Sequence, residues 1–244
     1  MKRREALLSL GAAVAAAPAV SADTARAEVV RNYPQDMALD RAFQPPSVRV
    51  GGPLTVLTDD SERRTIGAIF DRLIPADEFG PSATEAGCIE FLDAQLAGPF
   101  GQGAALYREG PRAPDEDKMV QKAQFIATPR ERYATGLKAL DAWATNKHGA
   151  PFADLEAARQ DEILAGMENG DIELAPEVNT KAFFELMLQN VREGYFSDPI
   201  YGGNKNMAGW KMIGFPGARY DYRLYADRTG QKLDLEPVNL IPKD

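Results

Sequence analysis

Four carboxylates, Asp71, Asp77, Glu78 and Asp93, crowd the Ile74-Pro75-Ala76-Asp77 turn, where acid-base work or a hard cation would be sought first. A calcium ion needs about six to eight oxygens from one defined loop. No EF-hand spacing is present, so turn hydrogen bonding accounts for Asp77 more simply. The chain holds one cysteine, Cys88, and one histidine, His148. That inventory excludes an internal disulfide, haem attachment as C-x-x-C-H, the common cysteine and histidine zinc sites, and any Ser-His-Asp triad not built on His148. Cys88 reads as a small apolar side chain within a helix rather than a reactive or intersubunit thiol. His148 reads as a favourable charge beside a helix C-terminus. No catalytic set and no metal set emerges from these residues.

A different kind of chemistry is offered between Tyr201 and Gly217, a stretch dense in glycine, aromatic and amide residues. Glycines at 202, 203, 209, 214 and 217 invite comparison with a phosphate cradle. The dinucleotide fingerprint G-x-G-x-x-G must follow a strand and open a helix. Here a helical pattern comes first and the spacing is wrong, and no G-x-x-x-x-G-K-[ST] is present. Glycine also permits positive φ and close backbone approach, while Tyr201, Trp210 and Phe215 supply large, stiff contact area. Such a loop suits docking on another protein better than proton transfer, and a glycine-rich loop packed on its own domain is the alternative. Its candidate partner-binding residues are Tyr201, Gly202, Gly203, Asn204, Gly209, Trp210, Lys211 and Gly214.

The elements that must hold this loop are helices. Acidic residues from Asp59 to Glu62 cap a first helix whose Ile66, Ile69, Phe70 and Leu73 recur on one face. Burying all four would contribute ~1.5–3 kcal/mol each before entropy, and Pro75 ends the run. Ser82 or Thr84 caps a second helix carrying Ala86, Ile89, Leu92 and Leu96, stopped by Gly98-Pro99. A long loop fills 100–127. Thr128, Pro129 and Glu131 then form a capping box for a helix lined by Tyr133, Leu137, Leu140 and Ala144 and closed by Gly149. The next helix opens at Phe152, carries Leu155, Ile163, Leu164 and Met167, presents Gln160-Asp161-Glu162 to solvent, and stops at Asn169-Gly170. The last long one runs from about Pro176 to Gly194 with Phe183, Phe184, Met187, Leu188 and Val191. No run alternates as a strand would. The fold class is all-α: a multi-helix bundle with long connecting loops, an extended N-terminal arm and an irregular C-terminal segment.

The 244 residues suit one domain with extensions. Residues 1–22 have a basic start, an alanine-rich apolar stretch and small residues at Val20-Ser21-Ala22, the order of a removable export signal too weak to span a bilayer. Arg3-Arg4 followed by Glu5-Ala6-Leu7-Leu8 resembles the twin-arginine signal for folded cargo; an ordinary export signal with two chance arginines is the alternative. Residues 23–57, broken by Pro34, Pro45, Pro46 and Pro53, form an extended arm, and 58–244 the helical domain. The formal charge is −8, and removing the leader's +2 leaves −10. A chain this acidic repels phosphate backbones, so nucleic acid is excluded as a partner.

Two separated segments resemble the gluconate 2-dehydrogenase subunit 3 family. The first runs from Phe70 to Gly87 (FDRLIPADEFGPSATEAG) and is similar to the family's helix, Ile-Pro-x-Asp turn and following alanine-glycine helix. The second joins Tyr201-Gly202-Gly203-Asn204 to Gly209 through Gly217 (GWKMIGFPG) and is similar to its C-terminal hallmark. The resemblance implies a non-catalytic small subunit of a flavin-dependent sugar or sugar-acid dehydrogenase. FAD then belongs to a large partner subunit, with a multihaem cytochrome c as a further partner, and no cofactor is bound by this chain. It also implies that the small subunit helps the flavoprotein mature and supplies its export signal to the twin-arginine translocase, with a periplasmic destination and membrane association only through partners. Inserting FAD before crossing requires a route for folded cargo. A self-sufficient periplasmic enzyme and a solitary exported binding module are the competing readings.

Replacing Arg3 and Arg4 together by lysine is expected to abolish export, read as loss of the chain from the periplasmic fraction. Normal periplasmic amounts of the double variant would reject the twin-arginine reading.

Overall fold

A helix that buries side chains around most of its circumference must lie at the centre of its domain, and Thr180–Phe196 is that helix. Ten of its residues are buried, among them Phe183, Phe184, Met187, Val191 and Tyr195. The computed structural model describes residues 53–106, 127–219, 221–231, 233 and 235–241. Within the main body the helices are α1 (Asp60–Leu73), α2 (Cys88–Ala97), α3 (Pro129–His148), α4 (Ala157–Asn169), the central α5 (Thr180–Phe196) and the short α6 (Ala208–Ile213). Each of the other five packs on α5. The described residues contain no strand, only an isolated parallel bridge between Gly217 and Val238. The all-α expectation holds. Residues 221–229 belong to a separate unit, a short 3-10 turn in which the Arg223 guanidinium holds the Asp221 carboxyl down to about 2.

The helix ends follow the sequence where a side chain was available to make the cap. Asp59 accepts from the Ser61 and Glu62 amides at the start of α1. Thr128 and Glu131 satisfy each other's backbone in the expected capping box, and Gly149 ends α3 at φ 83°. The core beneath is built from Ile66, Ile69 and Phe70 of α1, Leu92 and Leu96 of α2, Leu137 and Leu140 of α3, and the inner faces of α4 and α5. One polar pair is buried in it: the Tyr133 hydroxyl donates to Asn190 Oδ1 at 3.0 Å. The Tyr133 ring also meets Phe183 edge-on at 5.7 Å. Gly136 makes room for the Phe183 ring, since a Cβ there would fall 2.5 Å from it.

Three element starts differ from the sequence reading. α2 begins at Cys88 with no side-chain cap, because the Asp71 carboxylate takes both the Thr84 amide and hydroxyl, at 2.9 and 2.7 Å. Ser82 and Glu85 bond each other across a turn instead of capping a helix. Phe152–Asp154 is a 3-10 turn rather than the opening of α4. Its carbonyl at Phe152 accepts from Gln160 Nε2 at 3.0 Å, so Gln160 is buried and does not belong to a solvated face. Asp161 of the same run accepts from Arg72 Nε and Nη2, both at 2.7 Å, joining α4 to α1. α5 starts at Thr180, capped by Asn179, not at Pro176.

The last residues of the arm are held by a carboxylate. Asp93 of α2, 5% exposed, accepts from the Thr55 amide and hydroxyl and from the Val56 and Leu57 amides, all at 2.8–3.0 Å. That places Leu57 in the core. Residues 23–52 of the arm, the leader with Arg3 and Arg4, and most of the 100–127 loop lie outside the described residues.

Removing a buried acceptor strands its donors at roughly 1–3 kcal/mol apiece when water cannot reach them. Asp93→Ala is therefore expected to cost about 2–4 kcal/mol of unfolding free energy, measured by urea denaturation. A loss below about 1 kcal/mol would mean that water replaces the carboxylate.

Candidate functional site

The glycine-aromatic stretch is wound around the last turn of α5. Asp198 starts the reversal, its carboxylate accepting from the Ile200 amide and, from the far end of the chain, the Leu240 amide, both at 2.9 Å. Burial raises the Asp198 carboxyl above its ordinary range, against the lowering effect of those two amides. Gly202 turns at φ 98°. Gly203 then passes so near α5 that a Cβ would collide with the Gly194 carbonyl, and Gly209 does the same at the Tyr195 carbonyl. Only residues without a side chain can make these approaches.

Asn204 pins the loop. It is fully buried, its Nδ2 donating to the Ser197 carbonyl and its Oδ1 accepting from the Gly209 amide, both at 2.8 Å. Asn204, Asn206 and Met207 are the non-glycine residues of positive φ among those described, at 48°, 56° and 56°. Asparagine tolerates that region, but for methionine it is unusual. Backbone of this kind costs about 1–3 kcal/mol per residue and persists where the surroundings over-determine it. Immediately after it, α6 carries Trp210, 4% exposed, whose indole N–H donates to the Phe196 carbonyl at 2.7 Å. Phe215 lies edge-on to Trp210 at 5.2 Å.

The two motif segments, far apart in sequence, close on each other here. The Lys205 amide donates to the Ala86 carbonyl at 2.9 Å, and Lys205 Nζ pairs with Glu90 at the same distance. Gly87, at φ 85°, admits the Gly202 carbonyl, which a Cβ would meet at 2.8 Å. The Tyr195 hydroxyl donates to the Pro81 carbonyl at 2.8 Å, and Gly80 lies against that same hydroxyl. Asp77 makes the expected turn, accepting from the Phe79 and Gly80 amides at 2.8 and 3.1 Å. Three more bonds extend the platform to the C-terminal residues: Ala218 N to Val238 O, Val238 N to Pro216 O, and Arg219 Nη2 to Glu236 O.

The eight candidate residues thus divide by position. Gly202, Gly203, Asn204, Gly209 and Trp210 are buried and build the loop. Tyr201, Lys211 and Gly214 face outward. Phe215, expected as contact area, also stands out, and sequence reasoning missed three further exposed side chains: Met212, Ile213, and Phe79 at the tip of the Asp77 turn. A large apolar residue inside a glycine-rich turn was the available signal. At Gly203, Gly209 and Gly217 protein carbonyls occupy the space the missing side chains vacate, which leaves no room there for a pyrophosphate, whereas Gly214 opens on empty space. Among the described residues no group of three or more histidine, cysteine or acidic side chains could hold a metal ion. Cys88 is buried and unpaired by disulfide, and burial, aided by Glu90 and Asp71 and opposed by Lys205, pushes its thiol up to about 12. His148 ends α3 with its ring edge-on to Trp143 at 5.6 Å.

Residues 60–217 match the family model described as gluconate 2-dehydrogenase subunit 3. The chain belongs to the gluconate 2-dehydrogenase subunit 3 family. No curated protein and no solved structure matches it. The matched region of this subunit 3 protein opens on the first residue of α1 and closes on Gly217, at the bridge to Val238. The two interlocked motif segments therefore lie inside it, and the arm and the C-terminal residues that bond to the platform lie outside. Membership makes the chain an accessory subunit of a dehydrogenase complex, with a catalytic subunit as its partner.

Two outcomes are expected. Asn204→Ala removes both buried bonds and forces alanine into the left-handed region, which should cost about 2–4 kcal/mol in thermal or urea unfolding. Cys88 should resist iodoacetamide at pH 8 in the native protein and react once denatured, followed by mass spectrometry. Rapid native alkylation would show that α2 opens.

Proposed function

We propose that this chain is the non-catalytic small subunit of a flavin-dependent dehydrogenase that oxidises CH–OH groups of sugars or sugar acids. It binds the FAD-bearing large subunit, supports its maturation, and carries it folded through the twin-arginine translocase to the periplasm. Family membership carries the proposal. Two further observations support it. The space beside Gly203, Gly209 and Gly217 is filled by the domain's own backbone, which suits a preformed platform for another protein rather than a nucleotide site. The leader joins paired arginines to a weakly apolar stretch, which suits folded cargo. In this assignment the loop from Tyr201 to Gly214 faces the flavoprotein. Its buried members fix the backbone, and Tyr201 and Lys211 reach outward. A multihaem cytochrome c takes electrons from the flavoprotein, and membrane attachment comes through those partners.

The test is affinity purification of the tagged chain from periplasm. A yellow complex with bound FAD and sugar-acid dehydrogenase activity is expected, and deleting the chain should lower both the FAD content and the periplasmic amount of the large subunit. Turnover of a sugar acid by the isolated chain, or full export of FAD-loaded large subunit without it, would overturn the assignment.

A further inference from the structure

Among the described residues seven large apolar side chains are exposed: Phe79, Tyr201, Met212, Ile213, Phe215, Tyr222 and Ile241. None lies on the outer faces of α1 to α5, where scattered exposed apolar residues would be unremarkable. The first five instead belong to elements seated on the last turn of α5. The Asp77–Gly80 turn is fixed to the Tyr195 hydroxyl through Gly80 and Pro81, and α6 is fixed to the Tyr195 carbonyl through Gly209. One tyrosine side chain therefore separates the bases of the two projections. Phe79 stands 67% exposed on one of them and Ile213 58% on the other. The backbone that lifts α6 outward is also where Asn206 and Met207 take positive φ.

We infer that Phe79, together with Met212, Ile213 and Phe215, forms a two-pronged apolar grip that takes the dehydrogenase catalytic subunit. The inference rests on the functional assignment above and adds residues that neither family motif singles out as contacts. The occupant follows from two features. All four residues lie within the family-matched region, whose members work with a dehydrogenase subunit, whereas exposed Tyr222 and Ile241 lie beyond it. The grip also has a polar rim of both signs, Asp77 and Glu78 beside Phe79 and Lys211 beside Met212, as protein interfaces have. An anionic membrane surface would be repelled by the acidic side of that rim.

The experiment immobilises the tagged subunit and measures binding of the FAD-bearing large subunit by interferometry, with Ile213→Asp, Phe79→Asp and the double variant beside wild type. Melting temperatures should stay within a few degrees, because the altered side chains are exposed. Each single change is expected to weaken binding at least tenfold, and the double change more. Wild-type binding with both variants unimpaired would overturn the grip and leave the accessory role standing. No binding by wild type would overturn both. A wild-type dimer that Ile213→Asp splits, with binding of the large subunit unchanged, would reassign the surface to a second copy and overturn the grip.

Discussion

One backbone hydrogen bond, from the Lys205 amide to the Ala86 carbonyl, marks the constraint on which the rest of the molecule depends. Two chain reversals must meet over the end of α5 with almost no side-chain volume between them. Gly87 faces the Gly202 carbonyl, Gly203 faces Gly194, and Gly209 faces Tyr195. Any Cβ at these points would push the reversals apart, and the Lys205–Glu90 pair and the Tyr195–Pro81 bond would go with them. The bundle beneath is ordinary in its packing. What distinguishes it is that its central helix ends in residues shaped to receive backbone rather than side chains.

The body of the fold was readable from the sequence because its signals are local. The apolar spacing of α1, the Thr128–Glu131 box and Gly149 each act within a few residues, and each produced the element expected. The failures came where a distant group overrode a local one. Ser82 and Thr84 are good caps, but the Asp71 carboxylate claims Thr84 and α2 starts later. Gln160 looks solvated in a charged run, yet the Phe152 carbonyl draws it inward.

The glycine-aromatic loop was legible as a loop and only partly as a surface. Its glycines and aromatics identify it, but nothing in their order tells which of them turn inward. Trp210 and Asn204, the largest aromatic and the most prominent amide of the hallmark, are spent on internal bonds. The outward positions fall to the aliphatic residues of the hallmark, Met212 and Ile213, and to Phe79 in the other segment. Burial of this kind depends on contacts between segments that are remote in sequence, and composition does not encode which face of a six-residue helix wins.

The left-handed trio at Asn204, Asn206 and Met207 has a thermodynamic consequence for assembly. A loose glycine-rich loop would surrender its conformational freedom at the moment of association, at about 1–2 kcal/mol for each residue ordered. Here the bonds of Asn204 to Ser197 and Gly209, and of Trp210 to Phe196 just after the trio, hold the loop within the folded subunit. Encounter with a partner then requires little rearrangement, so complex formation should show small entropy losses and a fast, nearly rigid-body approach.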